Sequence, residues 1–235
     1  MTRRRWIADE FSDHQAALIG DHAGHLVRVL RARVGQEFDI AVGNTVRRGR
    51  IVTITADRVE FELGEEIPSP TTANITLLLA IFKFDRMEWA IEKCTELEVS
   101  RIVPLIARRS DTHLVAAASK RLERWTRVAH QASEQSRRLT PPQIDPPIKL
   151  KDAVSFSGSL RIVLAETEPE NNLRDVIQPS DPQILLAVGP EGGWVEEELK
   201  LFREVGWVSA SLGPTILRAE TAAIAAVAIA ASVLA

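Results

Sequence analysis

Residues Leu185–Leu199, LLAVGPEGGWVEEEL, contain the first stretch whose residue types and spacing suggest chemistry. An apolar segment typical of a buried strand runs into Gly189, and Gly192 and Gly193 follow just before an acidic segment with helical character. A strand, a glycine turn and a helix start form a common nucleotide-binding arrangement, because the helix N-terminus offers free N–H groups. The turn is therefore a candidate ligand site, although Gly-Pro and Gly-Gly are also ordinary turn formers.

The composition of this turn excludes the two usual phosphate-binding loops. It lacks the lysine and following hydroxyl of a Walker A loop, and its glycines do not have the one-three-six spacing of the dinucleotide fingerprint. Glu191 and the three glutamates of Glu196–Glu198 would repel a pyrophosphate, although the latter also offset the helix dipole. We therefore expect a neutral or cationic nucleoside, and S-adenosylmethionine, which has an adenine, a sulfonium and no phosphate, meets that description.

A second turn of similar type lies in Ser211–Ala226, SLGPTILRAETAAIAA. Here Gly213 is followed by Arg218, Glu220 and Thr221, directly before a helix of small apolar residues. Charged groups at the start of so apolar an element must be paired or must face a site. Two interpretations follow: a structural Arg218–Glu220 pair, or two Gly-Pro turns on neighbouring strand ends that form one pocket built mainly from backbone.

The sequence around these turns predicts two regions that differ in secondary structure. Residues 1–68 are expected to be β-rich: Gly43-Asn44 forms a turn between two strand patterns, and the preceding HAGHLVRVLRARVG is predicted to be a short helix that ends at Gly35, with Leu26, Val29 and Leu30 on one face. Glu65–Ala73 is a predicted linker, because it has two prolines and small polar residues.

From Asn74 onward, strand and helix patterns alternate to the end of the chain. Alternation of this kind predicts an α/β fold with a mostly parallel sheet that is covered by helices. Ligands of such sheets bind beyond the carboxyl ends of the strands. Both glycine turns follow strands at such ends, so the second region is the one expected to hold the ligand.

The formal net charge of −3 conceals a segregation of charge along the 235 residues. Six arginines lie between Arg28 and Arg50, and six basic residues lie between Lys120 and Arg138, whereas Glu166–Glu204 carries ten acidic residues. Local basic patches attract a polyanion whatever the total charge is. These patches are either an RNA-binding surface or ordinary solvated faces.

Cysteine usage and hydropathy favour a reducing compartment. The single cysteine, Cys94, excludes an intrachain disulfide, and we interpret it as a small apolar filler on a helix. The start of the chain has no apolar run after its arginines, and the C-terminal apolar run is too short and too rich in alanine to span a bilayer. We expect a cytoplasmic protein without a membrane partner. The histidines show no metal-ligand spacing with Cys94, so no metal is expected.

At the two glycine turns the chain resembles the RsmE-type methyltransferases of the SPOUT superfamily, which methylate N3 of a uridine in 16S ribosomal RNA. LLAVGPEGG is similar to the first cofactor loop of that family and LGPTILRAETA to the second. Lys83–Ser110 resembles the opening strand–helix–strand of the family, and Arg124–Arg138 resembles its helix that ends in Glu-Gln-Ser and arginine. HLVRVLRARVGQEFDIAVG is similar to the small N-terminal PUA-like barrel.

The resemblance implies a fold that composition and periodicity do not give. It implies a PUA-like β-barrel RNA-binding domain at residues 1–68 and a SPOUT methyltransferase domain at 74–235, whose parallel sheet carries a C-terminal trefoil knot around the cofactor. General connection rules favour an open, unknotted sheet instead. The implied cofactor is S-adenosylmethionine. The implied partners are 16S ribosomal RNA, in the small ribosomal subunit, and a second copy of the chain.

The resemblance also implies roles for individual residues. The expected cofactor-binding residues are Leu186, Val188, Gly189, Glu191, Gly192, Gly193, Leu212, Gly213, Ile216, Leu217 and Thr221. Thr221 either bonds the cofactor or caps the last helix. Arg218 and Glu220 are the catalytic candidates, with Glu220 as acceptor of the N3 proton and Arg218 as the cation that stabilises the uracil anion, and a structural role for both stays open. The expected RNA-binding residues are Arg28, Arg31, Arg47, Arg48, Arg137 and Arg138.

Four residues depart from the pattern of the family. Glu98 and Arg137 stand where glycine is usual, Thr215 replaces an arginine, and Val195 replaces a helix-capping serine. The change at Thr215 puts one RNA or cofactor contact in doubt. Trp194, next to the first turn, is expected to pack in the core rather than to stack on a base.

Two alternatives to the RsmE-type activity remain from the sequence. The chain is either a non-catalytic RNA-binding protein on a knotted scaffold, or a SPOUT methyltransferase that acts on another RNA position. The first predicts RNA affinity without cofactor affinity, and the second predicts cofactor binding with a different product.

Overall fold

The computed structural model describes residues 5–43, 45–68, 74–168 and 170–234. The chain forms two compact units, one composed of Met1–Thr71 and Ser133–Thr140 and the other of Thr72–Ala132 and Pro141–Ala235. Asn44 of the predicted Gly43-Asn44 turn lies outside the described residues, as do residues 69–73 of the predicted linker. The prediction of a linker is wrong for its first part, because Glu65, Glu66 and Ile67 belong to a strand.

The first unit is built on one curled six-stranded sheet. In chain order its strands are β1 (Arg5–Ile7), β2 (Glu10–Phe11), β3 (Gln15–Ile19), β4 (Glu37–Val42), β5 (Thr45–Ile54) and β6 (Arg58–Ile67). Their spatial order is β1-β4-β5-β6-β3-β2, and every pair is antiparallel except β1 with β4. Alternating apolar side chains on one face form the core of this unit, among them Leu18, Ile40, Ile51 and Phe61.

The helix predicted to end at Gly35 is shorter and of a different type. An α-helical turn, α1 (Asp21–Gly24), continues as a π-helical turn over His25–Val29 and ends at Leu30. Arg31 then has φ 53°, a left-handed conformation that stops the helix. Because a π-turn holds more residues than an α-turn, the apolar face shifts: Leu26 is buried, but Val29 is 64% exposed. The expectation for Val29 is therefore wrong.

The second unit contains the predicted parallel sheet. Its strands are β7 (Ile75–Ala80), β8 (Arg101–Ile106), β9 (Gln143–Ile144), β10 (Ile148–Lys149), β11 (Leu160–Leu164), β12 (Ile184–Val188) and β13 (Val208–Ala210). All the pairings between them are parallel, in the order β10-β8-β7-β12-β11-β13 with β9 also beside β8. The mixed α/β class is confirmed.

Helices cover both faces of this parallel sheet. They are α2 (Phe84–Glu96), α3 (Thr112–Ala118), α4 (Leu122–Ser136), α5 (Leu150–Ala153), α6 (Leu173–Val176), α7 (Glu196–Glu204) and α8 (Ala219–Leu234). Side chains of α2 and α8 form one apolar layer with Leu77 and Leu79 of β7, and Phe202 of α7 forms the other with Leu78 and Ala80. Within the described part of the chain, no helix combines the length and the apolar character that crossing a membrane requires.

Candidate functional site

A cavity of about 340 Å³ opens at the carboxyl ends of β11, β12 and β13. Its walls come from the last residues of these three strands and the segments that follow them, together with Arg86 of α2, Leu199 of α7, and Ala219 and Ala222 of α8. β11 pairs with both β12 and β13. The expectation that the two glycine turns leave neighbouring strands is therefore wrong, because the end of β11 lies between them. Both turns nevertheless line the same cavity.

The structure brings nine of the predicted site residues to the cavity wall. They are Val188, Gly189, Glu191, Gly193, Leu212, Gly213, Ile216, Leu217 and Arg218. Leu186, Gly192, Glu220 and Thr221 are not among the lining residues: Leu186 is buried inside β12, and Thr221 is exposed in the first turn of α8.

The glycines of the first turn are required by its backbone and by close neighbours. Gly193 has φ 70°, where a side chain is strained, and its N–H donates to the Pro190 carbonyl at 2.8 Å. A Cβ on Gly189 would lie 3.2 Å from the Trp194 ring, and one on Gly192 would lie 3.3 Å from Cδ of Arg109. The turn is therefore packed closely against Trp194 and Arg109, and a side chain at Gly189 or Gly192 would crowd these neighbours.

Trp194 packs as expected. Its indole N–H donates to the Leu164 carbonyl at 2.9 Å, and its ring meets Phe202 edge-on with the ring centroids 5.2 Å apart. The side chain is buried, so it fixes the turn after β12 against the end of β11. A buried indole with a satisfied N–H is a packing element rather than a free stacking platform.

The start of α7 is capped without the usual serine. Val195 has no side-chain oxygen, and the Glu198 carboxylate instead accepts the Val195 N–H at 3.0 Å and the Arg108 N–H at 2.7 Å. Glu198 is consequently buried, whereas Glu196 and Glu197 are exposed. Of the three glutamates in the first helical turn, one is therefore a structural cap that ties α7 to the segment after β8.

Sequence reasoning missed two charged residues of the cavity wall. Glu166 lies just beyond β11 and faces the first turn: a Cβ on Gly193 would come 3.5 Å from its Oε1. Arg86 lies in the first turn of α2. Glu166 was detectable as a carboxylate that directly follows a buried strand of a parallel sheet. Arg86 gave no local signal, because its position depends on how α2 packs.

The ion pairs beside the cavity differ from the predicted one. Arg86 Nη1 lies 3.0 Å from Glu191 Oε1 and 3.6 Å from Glu220 Oε1. Arg218 is exposed, and the described residues contain no Arg218–Glu220 ion pair. The structural pairing of Arg218 with Glu220 is therefore wrong, because Glu220 points back toward α2 instead of toward the turn.

The six arginines predicted to bind RNA lie in the first unit and fall into two groups. Arg28, Arg31 and Arg137 are exposed, although Arg28 Nε also donates to the Gly24 carbonyl at 3.4 Å. The other three are engaged by their own unit: the Arg47 guanidinium donates to the Gly64 carbonyl at 2.6 and 2.9 Å, Arg48 pairs with Asp39 at 2.6 Å, and the buried Arg138 donates to the Thr140 carbonyl at 3.2 Å.

The chemistry of the cavity suits a nucleoside that carries no phosphate. Its volume lies within the range of small-molecule sites. Glu166 places an exposed carboxylate on the wall beside the first turn, which disfavours a polyphosphate and favours a cation, whereas Glu191 is paired with Arg86. The glycine turns leave the backbone accessible to a planar, hydrogen-bonding group, and Arg218 supplies positive charge at another point of the wall.

Comparisons with known proteins agree with this site. The family described as RNA methyltransferase domain matches residues 68–231. Ribosomal RNA small subunit methyltransferase E of Rickettsia conorii is 37% identical over 217 residues, which cover 90% of this chain and 87% of the relative.

Two solved structures share the fold over nearly the whole chain. Ribosomal RNA small subunit methyltransferase E from Neisseria gonorrhoeae, solved bound to S-adenosyl methionine, has a TM-score of 0.84 and 32% identity over 97% of this chain and 96% of its own. A putative methyltransferase from Legionella pneumophila, solved with bound cofactor SAM, has a TM-score of 0.86 and 28% identity over 99% and 98%. The chain therefore belongs to the RNA methyltransferase family, as a relative of the ribosomal RNA small subunit methyltransferases E.

Proposed function

We propose that this protein transfers a methyl group from S-adenosylmethionine to N3 of a uridine in 16S ribosomal RNA of the small subunit. One observation carries the proposal: both glycine turns, far apart in sequence, line a single cavity at the carboxyl ends of the parallel strands. The membership in the RNA methyltransferase family and the cofactor-bound relatives support it. The acidic wall around Gly193 supports a sulfonium ligand over a phosphorylated one.

The two turns are proposed to hold the cofactor by their backbone. S-adenosylmethionine, when bound, supplies an electrophilic methyl group. Gly189, Gly193 and Gly213 leave room for close approach, while Val188, Leu212, Ile216 and Leu217 offer apolar contact to an adenine; Gly213 has φ 116°, and no atom lies within 4 Å of where its Cβ would be. Leu186, Gly192 and Thr221 would act indirectly, because they support the wall from outside the cavity lining.

Arg218 and Glu220 are proposed to handle the charge on the uracil. The N3–H of uracil must lose its proton, and the oxygens beside N3 then carry negative charge. Arg218 is exposed on the cavity wall, where it can stabilise that charge. Glu220 does not line the cavity, but its Oε2 is buried beside it without a hydrogen-bond partner among the described residues, so it keeps an acceptor for the proton that leaves N3.

The finer architecture is also part of the proposal. We propose that residues 1–68 form a PUA-like RNA-binding domain, supported by the curled sheet and by exposed Arg28 and Arg31. We propose that residues 74–235 carry the trefoil knot, supported by the packing of α8 against β7, β12 and α2. A homodimer is supported by partly exposed Ile224 and Ile229 on α8. The ribosomal RNA substrate implies a cytoplasmic location.

Calorimetric titration with S-adenosylmethionine tests the cofactor site. Gly193→Trp should abolish saturable binding, because its side chain fills the turn next to Glu166. Gly35→Trp is the matched control: Gly35 also has a positive φ of 87°, but it is exposed in the first unit, so the control should bind like the wild type. Binding by Gly193→Trp equal to that of the control would contradict the assignment.

The product identifies the reaction. Unmodified 16S ribosomal RNA, supplied free and as assembled small subunits, is incubated with protein and cofactor, and the digested nucleosides are separated by mass spectrometry. N3-methyluridine is the expected product. A different methylated nucleoside would favour another RNA position, and RNA binding without cofactor binding would favour a non-catalytic RNA-binding protein.

A further inference from the structure

Arg86 links the two segments on which the proposed function depends. It lies in the first turn of α2, and its Nη1 hydrogen-bonds Glu191 Oε1 of the first glycine turn at 3.0 Å. The same nitrogen is 3.6 Å from Glu220 Oε1 at the start of α8. The second distance is too long for a hydrogen bond, so this contact is electrostatic. One guanidinium therefore faces two carboxylates from separate elements.

Glu220 depends on Arg86 for its neutralisation. Its side chain is only 5% exposed, and the ion pair described for it is with Arg86. A buried carboxylate is costly unless a cation or hydrogen-bond donors compensate it. Glu220 does not line the cavity, whereas Arg86 does. Arg86 therefore offsets the charge of Glu220 from a position on the cavity wall.

The position of Arg86 exceeds what a purely structural ion pair needs. An arginine that only neutralised Glu220 would not have to form part of the cavity wall, nor to hold the turn that contains Gly192 and Gly193. Arg86 keeps 31% of its side chain exposed and is one of the residues that line the cavity. The planar fork of arginine suits such bridging, since it presents several donors in fixed directions.

We propose that Arg86 is a positioning residue. Its contact with Glu191 fixes the first glycine turn, and its contact with Glu220 fixes the proton-accepting group, so that the two are held together. The proposal rests on the proposed function. It predicts two separable effects: the contact with Glu191 governs cofactor affinity, and the contact with Glu220 governs the rate of methyl transfer.

Cofactor affinity is measured first, by calorimetry without RNA. Arg86→Gln should raise the Kd for S-adenosylmethionine about tenfold, as expected for loss of one charge-assisted hydrogen bond. Glu191→Gln should raise it similarly, and the double variant should bind no more weakly than either single variant, because both changes remove the same contact. Additive losses in the double variant would contradict the coupling between Arg86 and Glu191.

Steady-state kinetics separates the two contacts. Glu191→Gln should raise the KM for the cofactor more than it lowers kcat, whereas Glu220→Gln should lower kcat more than it raises KM. Arg86→Gln should do both, with a fall in kcat of about 100-fold, as for a misplaced reacting group. Arg86→Lys keeps the positive charge but lacks the planar guanidinium, so its kcat and its KM should both lie between those of Arg86→Gln and the wild type.

Lys93→Gln is the matched control. It removes a hydrogen-bonded ion pair from the same helix, since Lys93 of α2 donates to Glu92 at 2.7 Å and to Glu96 at 2.8 Å, away from the cavity lining. This variant should keep wild-type Kd, KM and kcat. If Arg86→Gln does not fold, as judged by thermal unfolding, Arg86→Lys and the two glutamate variants carry the test.

Two failures can be told apart. If the wild type neither binds the cofactor nor methylates RNA, the proposed function fails and the role of Arg86 falls with it. If the wild type is active and Arg86→Gln changes both Kd and kcat by less than about twofold, a difference well below one hydrogen bond, the positioning role alone is wrong.

Discussion

The carboxylate of Glu166 is the residue-scale feature that most directly matches a cationic ligand. It lies at the end of β11, between the two glycine turns, and faces Gly193. An exposed carboxylate at a cavity wall needs no partner until a ligand arrives. If that ligand is S-adenosylmethionine, Glu166 is placed to attract either its sulfonium or its ammonium group.

Glu166→Gln should distinguish these two cationic groups. S-adenosylhomocysteine lacks the sulfonium charge but keeps the ammonium, so comparing the two ligands separates the contributions. We expect the variant to raise the Kd for S-adenosylmethionine about tenfold and the Kd for S-adenosylhomocysteine by much less, because loss of one close charge pair costs affinity of this order. Calorimetric Kd values for both ligands provide the measurement. An equal rise in both Kd values would assign Glu166 to the ammonium group. No change in either Kd would show that Glu166 does not contact the ligand.

At the scale of single elements, two helix ends carry non-glycine residues with a left-handed backbone, at the positions where the resemblance implies glycine. Glu98 follows α2 with φ 69°, and Arg137 follows α4 with φ 62°. The Glu98 N–H donates to the Thr95 carbonyl at 3.0 Å, which closes the end of α2. A side chain in this conformation is strained, because its Cβ crowds the following backbone.

Glu98→Gly should therefore stabilise the protein. Relief of the left-handed strain outweighs the greater freedom that glycine has in the unfolded chain, for a net gain of roughly 0.5–1 kcal/mol. Denaturant unfolding of the full chain measures the change. Glu197→Gly, at an exposed helical position of α7, is the control and should destabilise by about 1 kcal/mol. A loss of stability in Glu98→Gly would show that its side chain makes a compensating contact.

At the scale of the whole molecule, charge is distributed unevenly although the formal net charge is only −3. The exposed arginines Arg28, Arg31 and Arg137 belong to the first unit, and the acidic residues of the cavity wall belong to the second. A protein with this distribution can attract RNA at one unit while the cavity of the other unit disfavours phosphate. The total charge by itself is therefore uninformative about RNA binding.

Salt dependence should separate the exposed arginines from the engaged ones. Arg31→Ala is expected to reduce the slope of log K against log salt concentration by about 0.7–0.9, the change for one lost phosphate contact. Arg47→Ala should leave the slope unchanged but lower the unfolding midpoint, since its guanidinium already binds backbone carbonyls. Filter binding to 16S ribosomal RNA at several salt concentrations gives the slope. An equal loss of slope in both variants would show that Arg47 also reaches RNA.

The sequence by itself determined the class of the second unit and predicted where its candidate site lies. Alternating strand and helix patterns require a parallel sheet, and glycine turns after two of its strands mark the end where ligands bind, because both follow from local periodicity and backbone freedom. The resemblance carried by GPEGG and LRAETA then identified the family. Trp194 was also correctly placed in the core, since a large indole beside a buried strand is best buried.

Tertiary structure decided which side chains meet across that site. The insertion of β11 between β12 and β13 added Glu166 to the cavity, and the packing of α2 brought Arg86 to Glu191 and Glu220. Arg218 and Glu220 are only two residues apart in the sequence, yet they do not pair, because the start of α8 turns Glu220 inward. Local spacing fixes the order of residues along the chain, but long-range packing decides which charge each one faces.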